Sequence, residues 1–256
     1  IIFEMKVLLS PAKSLDFKTQ LPTEKNSFLC FEKEAEYLNS ILKRKSPKDL
    51  SNLMGISSKI ADLNYERNHN WSLPFTQKNA RQAVYAFSGD VYRGLDAYSI
   101  DDEKIDYMQN TVRIISGLYG LVRPLDLIQP YRLEMGTKLS FDSNMNLYDY
   151  WKEKITNQLN SELSENEPVL NLASNEYFKA IDTKVIRSDV YSANFKQLKD
   201  GNYKTIAIFS KKARGMMTRF IIDNNIIDIS DIKSFDYDGY MFHEKLSTEK
   251  NLIFTR

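Results

Sequence analysis

The sequence predicts an α/β fold: a single compact domain with a mixed sheet flanked by helices and a helix-hairpin-helix element in its N-terminal half. Three observations carry this. Short apolar runs of strand length recur at 6–9, 112–116, 169–173 and 205–209. Most of the longer intervals between them hold apolar residues at helical spacing. No fixed-period repeat, Ser/Gly-rich linker or block of five like charges divides the chain. A composition that is 42% hydrophobic with 9 Gly and 7 Pro among 256 residues excludes collagen-like, low-complexity and wholly disordered chains.

Met5 reads as a natural start, so the predicted domain is 5–256 and residues 1–4 are an upstream segment. Lys6-Val7-Leu8-Leu9 reads as a buried strand, and Ser10-Pro11 behind it as a turn or a helix start in which Ser10 is the candidate N-cap. Residues 27–45 have helical apolar spacing and finish in Lys43-Arg44-Lys45, the cationic end that a helix dipole favours. Cys30, just ahead of Phe31, Ala35, Leu38, Ile41 and Leu42, reads as an interior helix residue rather than a peroxide-reacting thiol. Further helices are expected near 47–54, 57–66 and 76–87, until Ser88-Gly89-Asp90 breaks the pattern. Strand and helix then alternate: a strand at 112–116, an amphipathic helix at 147–163, a strand at 169–173, a helix at 176–181 and a strand at 205–209. Strand order is not readable from the sequence.

Charge and cysteine content narrow the function classes. With 35 basic and 34 acidic side chains the net charge is +1, which excludes nucleic-acid binding by bulk charge and requires any polyanion site to be concentrated. No apolar stretch approaches the roughly 18 residues of a membrane span, and Val7-Leu8-Leu9 is too short for a signal-peptide core, so the expected location is the cytoplasm, with no membrane partner. One cysteine and two histidines, His69 and His243, exclude a disulfide framework and a zinc site of Cys and His alone. Glu66-Arg67-Asn68-His69 supplies one Glu-x-x-His, where a di-iron bundle needs two. No metal site and no cofactor is assigned. The P-loop, the Gly-x-Ser-x-Gly elbow and a dinucleotide fingerprint are all missing.

Three segments read as strand-to-helix transitions carrying polar or basic residues: Ser10-Pro11-Ala12-Lys13, Ser174-Asn175-Glu176 and Lys211-Lys212-Ala213-Arg214-Gly215. Ligands of open α/β sheets collect at the carboxyl ends of strands, where helix N-termini attract anions, so convergence of these segments builds an anion-binding cleft. Lys211, Lys212, Arg214 and Arg219 have no acid among them, and cations at a helix start are disfavoured unless an anion binds there or the loop is solvated. Arg123 and Arg132 have Asp126 and Glu134 as candidate partners, in a structural pairing or as a charged cleft wall. Residues 50–61 resemble a helix-hairpin-helix, an element assigned to about 47–66, with Gly55-Ile56 as the hairpin and Ala61 six residues after the glycine; Ser57 stands where the pattern prefers a second Gly. In that motif the hairpin amides and the second helix's first turn grip DNA phosphates, with Gly55, Ile56, Ser57 and Lys59 as the contacts; an ordinary helix-turn-helix corner is the alternative.

Several segments taken together resemble the YaaA peroxide stress protein family. They are Ser10-Pro11-Ala12-Lys13, Phe87-Ser88-Gly89-Asp90-Val91-Tyr92-Arg93-Gly94-Leu95, Ser116-Gly117-Leu118-Tyr119-Gly120, Arg123-Pro124-Leu125-Asp126, Pro130-Tyr131-Arg132-Leu133-Glu134-Met135, Asn171-Leu172-Ala173-Ser174, Glu176-Tyr177-Phe178-Lys179 and Lys211-Lys212-Ala213-Arg214-Gly215 with Arg219-Phe220. The resemblance implies a cytoplasmic protein that limits free iron and Fenton damage, binds DNA, and combines one α/β fold with a helix-hairpin-helix and a positively charged cleft. It carries over Lys13, Arg132, Lys211, Lys212, Arg214 and Arg219 as anion contacts, with Ser10, Glu134, Ser174 and Glu176 as polar cleft groups, and no catalytic residue. The expected function is binding of double-stranded, bent or branched DNA in the peroxide stress response. The alternatives are an enzyme acting on a small phosphorylated or carboxylated substrate in the same cleft, and an iron-sequestering protein.

Overall fold

A computed structural model describes residues 5–256; the upstream segment 1–4 lies outside the described residues. The chain runs through β1 (Lys6–Leu9), β2 (Ser14–Leu15), α1 (Glu32–Lys43), α2 (Pro47–Met54), α3 (Ser58–Asn70), β3 (Arg81–Gln82), α4 (Ala83–Ala86), β4 (Phe87–Ser88), α5 (Asp90–Leu95) and α6 (Ile105–Thr111). It continues through β5 (Val112–Ser116), β6 (Gly120–Val122), β7 (Leu127–Ile128), α7 (Leu147–Glu162), β8 (Val169–Asn171), α8 (Asn175–Phe178), β9 (Val190–Lys199), β10 (Asn202–Lys204), α9 (Ala207–Asp223), β11 (Met241–Phe242) and β12 (Asn251–Thr255).

The eight-strand sheet is mixed. Its path is β11-β12-β9-β8-β1-β5-β6, with β10 folded back onto β9. The five strands from β12 to β5 are mutually parallel, while β6, β10 and β11 pair antiparallel. β1 lies at the centre of the parallel part, Val7 standing between Val112 and Leu170, and its apolar residues are fully buried. A strand covered on both faces needs this continuous apolar run.

Chain order locates the crevice. From β1 the chain reaches β5 on one side, then returns to β8 on the other side of β1 and builds outward to β9 and β12. The reversal between β1 and β8 is a topological switch point, outside which open α/β sheets bind their ligands.

Helices form where local chemistry and the apolar stripe agree. In α1, Ala35, Leu38, Asn39 and Leu42 are buried at i, i+3, i+4 and i+7. α2 opens with a Ser46–Asp49 capping box and Pro47 in its first turn, and closes on Gly55 at φ +61°, a left-handed cap that glycine adopts without strain. α7 is capped by Asn146 and buries Leu147, Trp151, Ile155 and Leu159; Trp151 Nε1 donates to the carbonyl of Gly117 at 2.9 Å. α5 and α9 pack backbone to backbone: a Cβ on Gly215 would stand 1.8 Å from the Val91 carbonyl oxygen, and one on Gly94 2.1 Å from that of Lys212.

Four local expectations need correction. The strand expected at 205–209 is instead the start of α9, because a five-residue apolar run fits a buried helix as well as a strand and the spacing Ala213, Met216, Met217, Phe220, Ile221 continues it as helix. Of the helix expected at 76–87 only Ala83–Ala86 forms; Asn79 turns the chain against Thr76, and Arg81–Gln82 pairs with β7. Cys30 lies in an exposed turn ahead of α1 and not inside a helix. Ser10 caps no helix, since the chain after β1 stays irregular as far as β2.

Candidate functional site

The switch point is closed by two serines. Asn171 Oδ1 accepts from the Ala173 amide at 2.9 Å and turns the chain out of β8. The next amide, Ser174, donates to Ser10 Oγ at 2.8 Å, and the two hydroxyls lie 3.3 Å apart. Tyr92 of α5 donates its hydroxyl to the Ser10 carbonyl at 3.0 Å, so the loop after β1 is held from both sides.

Beside this junction lies a charged array. Glu134 spends both carboxylate oxygens, Oε1 on Arg132 at 2.9 Å and Oε2 on Lys13 Nζ at 2.6 Å. Glu176 accepts the Gly136 amide on Oε1 at 3.0 Å, and Tyr148 donates to its carbonyl at 2.9 Å. Ser10, Lys13, Arg132, Glu134, Ser174 and Glu176, six positions singled out from sequence, are therefore linked through the loops at the carboxyl ends of β1 and β8. A cavity of about 790 Å³ opens here, walled by residues 134 and 136–138 with Glu176 on one side and by Asn52, Leu53, Met54 and Gly55 at the end of α2 on the other.

Sequence reasoning missed the buried tyrosines beside the array. Burial pushes up the phenols of Tyr92, Tyr131 and Tyr177, Tyr131 adds to the rise at the other two, and the Ser116 hydrogen bond opposes it at Tyr131, so all three stay protonated. Tyr131 meets Ser116 Oγ at 2.7 Å. The segment Pro130-Tyr131-Arg132-Leu133-Glu134-Met135 already carried Tyr131, but a phenol's burial has no local signature. Arg67 of α3 was also missed. Its charge is opposed by burial first and then by Arg132, yet in sequence it sits in an ordinary polar run.

The α9 cations are distributed differently from the expectation. They lie inside the helix and not at its start, and acids outside 211–219 pair with two of the four. Lys212 pairs with Asp238 at 3.7 Å; Arg219 pairs with Asp223 at 2.7 Å and reaches Ser99 Oγ at 2.6 Å. Lys211 is exposed and makes no ion pair among the described residues. Arg214 is half-buried; burial lowers its pKa, and its buried Nε has no hydrogen-bond partner. Arg123 does pair with Asp126, at 3.1 Å, where Ser27 Oγ also donates at 2.6 Å, which makes a structural cluster.

In the two-helix hairpin the four expected contacts divide. The Gly55 and Ile56 amides are spent on the Ser51 carbonyl, whereas Ser57 and Lys59 face solvent. His69 Nδ1 lies 2.8 Å from the Tyr65 carbonyl, and among the described residues no group of three or more His, Cys, Asp or Glu is placed to hold a metal ion.

A family model described as peroxide stress protein YaaA matches residues 5–246. The chain belongs to the YaaA peroxide stress protein family. Its YaaA-family relatives are alike end to end. A UPF0246 protein of Flavobacterium johnsoniae is 54% identical over 252 residues, covering 98% of this chain and 100% of the relative. UPF0246 proteins of Flavobacterium psychrophilum and Saccharophagus degradans are 50% and 49% identical, each over 98% of this chain and 100% and 99% of their own lengths. Membership in the YaaA family supports a role in the peroxide stress response. Among the described residues no helix is long and apolar enough to cross a membrane.

The surroundings of the lone thiol, in its exposed turn, disfavour its ionisation. Burial at the sulfur, and then the Asp126 carboxylate, push the Cys30 thiol above its usual range, which lowers its thiolate content. Cys30→Ser should leave peroxide survival unchanged in a complemented deletion strain, and a loss of protection would restore the thiol as a candidate.

Proposed function

We propose that this YaaA-family protein acts in the cytoplasmic response to peroxide by binding DNA through the phosphate backbone, with the α2–α3 corner serving as a helix-hairpin-helix. The observation that carries the reading is the exposed start of α3. Ser57 makes no side-chain cap bond, the first turn holds no acid, and Ser57, Ser58 and Lys59 are all exposed. The orphan amides of that turn and the Lys59 ammonium are therefore free for a phosphate. No side chain or backbone lies within 4 Å of where a Gly55 Cβ would be, which leaves room for a strand to approach closely. Lys211 and Arg214 supply the cations that no acid among the described residues claims, and a second segment of bent or branched DNA is the proposed occupant there. We extend the proposal to an indirect link with free iron, through protection of DNA from Fenton chemistry.

The test is fluorescence anisotropy on a plain duplex and a four-way junction across a salt series. Lys59→Ala should weaken binding and lower the salt slope by about one unit, the loss of one phosphate contact, and Lys211→Ala with Arg214→Ala should lower it further. No binding at physiological salt would overturn the reading.

A second reading, an enzyme acting on a small phosphorylated or carboxylated substrate, is favoured by the Lys13–Glu134–Arg132 array at the switch point. It predicts saturable binding of one nucleotide-sized anion with a shallow salt dependence.

A further inference from the structure

The cavity of about 790 Å³ lies between the proposed hairpin and the charged array: the end of α2 supplies one wall, and the loop after Glu134 with Glu176 supplies the other. Its volume falls within the range of small-ligand sites, roughly 300–1,000 Å³, and suits one nucleotide rather than a duplex. Its chemistry is one-sided. Leu53 and Met54, both half-buried, offer apolar surface to the face of a ring. Opposite them, each oxygen of Glu134 is already engaged by a cation, Arg132 or Lys13. Glu176 is freer: Oε1 takes the Gly136 amide, and Oε2 accepts from no group among the described residues. Lys138 stands exposed in the cavity lining with no acid partner among the described residues, and Arg132, behind Glu134, keeps a buried Nε without a hydrogen-bond partner there. An apolar face, one free carboxylate oxygen and nearby cations match an aromatic ring bearing an amino group and attached to a phosphate.

We propose that this cavity receives a single nucleotide turned out of the stack of DNA held by the α2–α3 hairpin, with an amino group on its base donating to Glu176. The inference rests on the DNA reading above. Enzymes and binding proteins that need access to a base extrude it into a pocket, most readily where it is mismatched. Adenine, cytosine and guanine carry an exocyclic amino group that can donate there, whereas thymine has none and offers only its ring N3–H.

The experiment uses the full chain and a duplex carrying, opposite a mismatch, an amino-bearing fluorescent adenine analogue whose emission is quenched by stacking. Anisotropy of a second dye at the duplex end reports binding separately. Wild type should raise the analogue's emission in step with binding. Asn52→Trp fills the cavity from an exposed position on α2, so it should keep the circular dichroism spectrum and most of the affinity while losing the rise in emission. Glu176→Gln, which retains an oxygen for the Gly136 amide, should reduce the rise without abolishing binding. Binding with no rise in emission, or a rise that survives Asn52→Trp, would overturn the inference and leave the DNA reading standing. No change in anisotropy with wild type would overturn the DNA reading and this inference with it.

Discussion

Gly215→Ala should destabilise the protein by about 3 kcal/mol or more, or prevent folding, because the added methyl has nowhere to go. Its Cβ would stand 1.8 Å from the Val91 carbonyl oxygen and 2.6 Å from the Leu95 amide, both backbone atoms of α5 that no rotamer change can move aside. Gly94→Ala meets the reciprocal wall, the Lys212 carbonyl at 2.1 Å, and should behave alike. Gly55→Ala is the control. It adds only the left-handed strain of φ +61° with open space around it, which costs about 1–2 kcal/mol. Urea unfolding of the three variants separates steric exclusion from backbone strain. A Gly215→Ala protein no less stable than Gly55→Ala would sink the close α5–α9 packing. That packing matters for the site as well, since α5 carries Tyr92, whose hydroxyl holds the Ser10 carbonyl.

Lys6→Ala should cost about 3–5 kcal/mol, although the lysine touches nothing proposed to bind a ligand. Lys6 Nζ lies 2.8 Å from Glu167 Oε1, with side-chain exposures of only 8% and 2%. Glu167 also accepts the Ser164 amide at 2.8 Å, and the Lys6 amide donates to the Pro168 carbonyl at 3.0 Å, so the cluster pins the amino ends of β1 and β8 together. Removing the ammonium strands a buried carboxylate. Lys6→Met combined with Glu167→Gln removes both charges while keeping an oxygen for Ser164, and it should recover most of the loss. A double-mutant cycle in urea decides the matter. If the pair and the single variants lose the same stability, the effect is ordinary packing and not a stranded charge.

These two predictions also mark where sequence reading reached. Lys6 was legible as part of a buried strand, but its counter-charge 161 positions later was not, because a buried lysine's partner is chosen by strand order and strand order has no local signal. For the α9 cations the same reason holds in part: Asp238 and Asp96, which reach Lys212 and Arg219, come from other parts of the chain, while Asp223 stands one turn beyond Arg219. Gly94 and Gly215 lie in segments that carry the family resemblance, yet only the crossing of α5 over α9 explains why both lack a side chain.

The sequence by itself determined the α/β class, the buried strands at 6–9 and 112–116, the amphipathic helix at 147–163, the corner at Gly55 and the family, because each depends on hydrophobic period, turn chemistry or ordered motifs that stay close along the chain. The tertiary structure alone decided that β1 lies between β5 and β8, that Ser10 and Ser174 therefore meet, that Glu134 is held between Lys13 and Arg132, and that the end of α2 closes a cavity over Glu176. Contacts across more than a hundred residues are set by which strand ends the sheet brings side by side, and no local periodicity encodes that choice.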